Sequence, residues 1–119
     1  MLRYVDGFLL PVSTKKVAGY LRLARKAGKV WRDHGALEYR EALGDDLNVK
    51  GVVPFARRMK LKRGETVVFA WIVYKSRAHR DRVNAKVMKD PRLQKMAAEG
   101  MPFDVKRMTY GGFKIAVEA

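Results

Sequence analysis

The chain has 119 residues, no cysteine, and a formal net charge of +14 from 26 Lys and Arg against 12 Asp and Glu. That length fits one domain with enough apolar content for a packed core, and the absence of cysteine excludes disulfides, thiolate metal sites and cysteine nucleophiles. Two histidines, His34 and His79, are too few for a conventional metal cluster, so neither metal nor cofactor is expected, while the charge favours anionic partners without bearing on fold.

Residues 3–12, "RYVDGFLLPV", have the extended apolar character of a strand, and Ser13 stands where a helix N-cap belongs. From residue 14 to 34, Val17, Tyr20, Leu21, Ala24, Ala27 and Trp31 recur at steps of three and four, which predicts an amphipathic helix ending near Gly35. Gly28 is a blemish in that pattern. Residues 36–43, "ALEYREAL", set Leu37, Tyr39 and Glu41 against Glu38, Arg40 and Ala42, as in a second strand. "GDDLNVKGVVP" reads as a loop, and residues 55–63 suit either a short helix or an irregular approach to the next strand.

Residues 65–75, "ETVVFAWIVYK", form the strongest strand signal, rich in β-branched and aromatic types. Ser76 then caps a helix whose inner face is expected to hold Ala78, His79, Val83 and Val87, with a short helix restarting after Pro91. Residues 107–117, "RMTYGGFKIAV", complete the order as a last strand. A helix of about 20 residues spans roughly 30 Å, about the length of a ten-residue strand. The elements therefore predict one α+β domain over residues 1–119, with an antiparallel ferredoxin-like β-α-β-β-α-β arrangement.

An antiparallel strand with one wet face alternates apolar and polar residues. "VVFAWIVY" does not: Val67, Phe69, Trp71 and Val73 point one way, and Val68, Ala70, Ile72 and Tyr74 the other. Two helices cover one face only, and a large bare apolar face is a liability. A second copy, packed sheet against sheet, is the expected cover.

The segments "YVDGF", "FAWIVYKSRAHRDRVNAKVMKDPR" and "MPFDVKRMTYGGF" resemble the YbaA-like bacterial family of uncharacterised small proteins. The resemblance implies membership of the dimeric α+β barrel superfamily, in which two ferredoxin-like sheets meet face to face. It implies no activity. The longest apolar run is far shorter than a membrane helix, and the first residues lack a cleavage-site pattern, so a cytoplasmic location is expected.

Asp6 interrupts an apolar strand, where burial raises a carboxyl pKa unless a cation compensates. It is a candidate base or ligand anchor, against an ion pair with Arg107. His79 is the other candidate base, against a structural histidine on the helix's inner face. Trp31, Trp71, Asn84, Tyr110 and Arg107 are the candidate ligand-binding residues. In "MPFD", Asp104 is expected to cap or pair in a turn. Gly111 and Gly112 project to opposite faces, making room for close packing or flooring a pocket.

Three functions follow. One is binding or cofactor-independent transformation of a small organic ligand in a cleft between sheet and helices. Another is non-specific nucleic-acid binding, RNA included, through basic helices. The last is a homodimer with a structural or regulatory role and no ligand.

Overall fold

The computed structural model describes residues 2–119. Strand β1 (Tyr4–Ser13) lies at the centre beside β3 (Glu65–Tyr74), antiparallel, in register from Tyr4 opposite Tyr74 to Ser13 opposite Glu65. Strand β2 (Glu38–Leu43) pairs with the far side of β3, and β4 (Thr109–Lys114) with the far side of β1. The resulting order, β2-β3-β1-β4, all antiparallel, is the ferredoxin-like sheet, and the fold is α+β.

Helix α1 (Val17–Asp33) and the pair α3 (Arg77–Met88) and α4 (Pro91–Glu99) cover one face. Under them Val30, Ile72, Tyr74, Val83 and Val87 form one buried cluster, and Leu10, Val12, Tyr20, Ala24 and Val68 another. Each Val, Leu or Ile among them contributes about 1.5–3 kcal/mol through burial. Gly28 is buried because a Cβ there would lie 2.8 Å from Cδ1 of Tyr39, so the helix approaches β2 only without a side chain.

Several expectations change. Ser13 does not cap α1: pairing with Glu65 keeps it in β1, and a single 3-10 turn, Thr14–Lys16, intervenes before the helix. Residues 55–58 form one helical turn, α2 (Phe55–Arg58), that buries none of its side chains. Ala78 is exposed, because the inward face of α3 runs through Val83 and Val87 instead. The final strand ends at Lys114, with one further backbone bond from the Ile115 N–H to the Arg3 carbonyl. The caps at Ser76 and Asp104 form as expected, each accepting from a backbone N–H two or three residues on. Asp90 caps α4 and, through His34 at 2.8 Å and Arg92 at 2.8 Å, ties the end of α1 to its start.

None of α1, α3 and α4 covers the other face of the sheet. Val67 and Val73, near the ends of β3, are covered, but Phe69 is 48% exposed and Phe113 60%. The apolar character of both faces is thus real, and one face remains uncovered in the single chain. No helix among the described residues is long and apolar enough to cross a membrane.

Candidate functional site

The two motifs "YVDGF" and "YGGF" are neighbours in space: Phe8 pairs with Tyr110, Gly7 with Gly111 and Asp6 with Gly112. On the helix side of that seam, Asp6 is 1% exposed and is the one buried charged residue among those described. Its partner is Arg80 of α3, whose Nη1 donates to Oδ1 at 2.8 Å. The same nitrogen donates to the Tyr110 hydroxyl at 2.6 Å, and the guanidinium sits 5.1 Å from the centre of the Tyr4 ring. Burial pushes the Asp6 carboxyl above the ordinary range, opposed by the Arg80 charge and by the polar groups of Tyr110, Asn84 and Tyr74.

Arg107 does not meet Asp6. It forms a two-toothed pair with Glu65, at 2.6 and 2.9 Å, and holds that carboxyl down at about 2. The expected Asp6–Arg107 pair therefore gives way to Asp6–Arg80. The clue to Arg80 lies in α3: Ser76, Arg80 and Asn84 fall at steps of four, on one face.

Gly112 makes room for Tyr4. A Cβ at Gly112 would lie 2.9 Å from two carbons of the Tyr4 ring, so the glycine lets that ring lie under Arg80. On the opposite face, Cβ atoms at Gly7 and Gly111 would sit 3.5 and 3.6 Å from the Phe113 ring, which rests over both backbones.

Asp6 walls a cavity of about 370 Å³ between the sheet and the helices. Six aromatic side chains line it (Phe8, Tyr20, Trp31, Tyr39, Phe103 and Tyr110), as do four of the chain's six methionines. Flat rings give shape, and unbranched thioethers adapt to an occupant. Asn84 crosses the roof, its Oδ1 accepting from Trp31 Nε1 at 3.1 Å and from the Tyr74 hydroxyl at 3.2 Å. At the β2 side, Glu41 accepts from the hydroxyls of Tyr20 and Tyr39.

Of the residues that the sequence singles out, then, Asp6, Trp31, Asn84 and Tyr110 come together around one cavity. Trp71 lies on the uncovered face, where its Nε1 donates to Glu38 at 2.9 Å. His79 stands outside the cavity and accepts the Lys75 N–H at Nδ1, 2.9 Å away; burial, with nearby basic charges, lowers its pKa and keeps the ring neutral. That is a structural task at the β3–α3 turn. Arg80, Tyr20, Tyr39 and Glu41 join the site without having stood out as site residues in the sequence. Among the described residues, no group of three or more His, Asp or Glu is placed to hold a metal ion.

A family model described as "Protein of unknown function (DUF1428)" matches residues 3–105. The chain is 40% identical over 117 residues to "Uncharacterized protein YbaA" of Escherichia coli K12, covering 98% of this chain and 99% of that protein. The protein of the same name from Shigella flexneri matches to the same extent. Among solved structures, a dimeric ferredoxin-like protein from an uncultured marine organism aligns over 100% of both chains, with a TM-score of 0.63 and 12% identity. That likeness supports the ferredoxin-like fold.

Proposed function

We propose, given that the chain belongs to the DUF1428 family of proteins of unknown function, that it is a homodimer whose cavity binds a small organic ligand. One observation carries the ligand reading: an aromatic and methionine-lined cavity of about 370 Å³ with a buried carboxylate in its wall. A carboxylate held between a guanidinium and a phenol can accept a hydrogen bond or a proton from an occupant, the role in which Asp6 would serve. Tyr110 and Asn84 would orient the occupant, and Trp31 and Phe8 would stack on it.

The dimer is supported by the uncovered middle of the sheet face, with Phe69 and Phe113 exposed, and by the dimeric state named for the structural neighbour. Two such faces would pack about 10 Å apart, as in a barrel closed from two sheets. The test of ligand binding is a thermal-shift screen of planar, mainly apolar compounds against the wild type and Asp6→Asn. Stabilisation confined to one chemical class, and weakened in the variant, is expected. Equal, class-blind responses in both proteins would contradict the assignment.

A second reading rests on the outer side of α1, where Arg22, Arg25, Lys26, Lys29 and Arg32 are all exposed. Such a column attracts nucleic-acid phosphates without reading sequence, and the affinity should fall steeply with salt. Binding of single-stranded RNA measured by anisotropy at low and at physiological salt tests it. Undetectable binding even at low salt removes this reading.

A further inference from the structure

At the β2 end of the cavity, hydrogen-bond donors are spent and acceptors are left over. A phenol has one O–H to give. Tyr20 gives its own to one oxygen of Glu41, and Tyr39 gives its own to the other at 2.6 Å. Trp31 gives its single N–H to Asn84 Oδ1 at 3.1 Å. Arg80 turns Nη1 to Asp6 and Tyr110. What the β2 end of the cavity offers an occupant is therefore lone pairs: those remaining on the Glu41 carboxylate and on two phenol oxygens.

Charge points the same way. Asp6 is matched by Arg80 at 2.8 Å, whereas no basic side chain among the described residues forms an ion pair with Glu41. Glu41 and Tyr39 also line a cleft on the solvent side of the same wall, together with Arg25, Lys29 and Arg32. There Lys29 faces Asp33 at 3.6 Å, Arg32 binds the carbonyls of Ala36 and Leu37, and all three are exposed to screening by water. On its cavity side, however, Glu41 meets no basic side chain among the residues that line the cavity. Aromatic rings line the cavity beside it: Phe103 meets Tyr20 edge-on at 5.7 Å, and Trp31 tilts against Tyr39 at 6.1 Å.

We propose that Glu41, Tyr20 and Tyr39 form a subsite for the ammonium head of an organic amine whose apolar body fills the methionine-lined remainder of the cavity. This rests on the assignment of the cavity as a ligand site and names the chemical class it selects. The head brings three N–H donors and a positive charge to a wall that lacks both, and the rings flank the cation.

Three probes with one body and different heads test it: 4-phenylbutylamine, 4-phenylbutan-1-ol and 4-phenylbutanoate, each titrated calorimetrically into the full-length protein at pH 7. The amine is expected to bind at least ~10-fold more tightly than the carboxylate, with the alcohol between, an amount one uncompensated charge supplies. Glu41→Gln is expected to bring amine and carboxylate to within about threefold of each other. Tyr39→Phe, which keeps the carboxylate and frees a lone pair on it, should hold or widen the ratio, and it serves if Glu41→Gln does not fold. A carboxylate bound as tightly as the amine overturns the subsite, as does an amine preference unchanged in Glu41→Gln or narrowed in Tyr39→Phe. Binding of all three without preference overturns the subsite and leaves the cavity assignment standing. Binding of none overturns both.

Discussion

The two faces of this one sheet are built from the same strands and equally apolar residue types, yet they differ in chemistry. Toward the helices, Asp6, Glu41, Asn84, Tyr20, Tyr39 and Tyr110 bring polar atoms to the edge of an apolar cavity, each with a partner. Toward the outside, Val5, Leu9, Phe69, Trp71 and Phe113 present mainly surface, over backbones left bare at Gly7 and Gly111. Alternation along β1 and β3 places the buried carboxylate on one side and mainly apolar area on the other. Hydrophobicity alone does not distinguish a site from an interface; the placement of a few polar groups does.

Substitutions on the two sides should therefore fail differently. The largest effect is expected from Arg80→Ala, which leaves Asp6 buried without its counter-charge and should cost about 3–5 kcal/mol in urea unfolding at pH 7. The loss should shrink in acid. Burial raises the folded-state pKa of Asp6 above its ordinary value of 3.8, so the stability linked to this proton is present below 3.8 and lost as pH rises through the folded value. Removing Arg80 raises that folded value further. A loss that does not depend on pH would show that Asp6 is not the group involved.

Gly112→Val comes next, at about 1–3 kcal/mol, since the new side chain must displace the Tyr4 ring. Because Gly112 faces the helices, the mass of the assembly should not change. Its neighbour is the control. Gly111→Ala places a Cβ at ordinary contact distance, 3.6 Å from Phe113, and should alter chain stability by about 0.5 kcal/mol or less. Equal losses at the two glycines would erase the distinction between faces.

The smallest effect is at the rim. Arg107 lowers the Glu65 pKa from 4.5 to about 2, so this pair contributes stability above pH 4.5 that is lost as pH falls through 2. Arg107→Gln should remove that part of the acid dependence, with a loss of stability that shrinks as pH falls toward 2. Thermal melts between pH 2 and 6 would show it.

Much of the fold can be read from the residues themselves. The unbroken apolar run in β3 announces a sheet with two dry faces, and the stripe through Tyr20, Ala24 and Trp31 announces α1. What escapes are relations that depend on register. Asp6 finds Arg80 across 74 residues of chain, and nothing local to either strand or helix selects it over Arg107. Only the spacing Ser76, Arg80, Asn84 carries the clue, and it becomes decisive once β1 is known to lie beneath α3. Glu41 is visible as an acid on the face of Leu37 and Tyr39, but its two phenol donors come from α1 and β2. Gly28 reads as a flaw until the Tyr39 ring fills its place. Ser13 misleads because a capping residue is equally at home at a strand end when pairing extends that far.

The separate tasks of the two faces can be tested with static light scattering at micromolar concentration on the wild type and on Phe69→Glu. The expected wild-type mass is twice that of the 13.6 kDa chain, and the variant is expected as a folded single chain that keeps its cavity intact. A well-folded wild-type monomer, or a dimer that tolerates a carboxylate at position 69, would contradict this division between the faces.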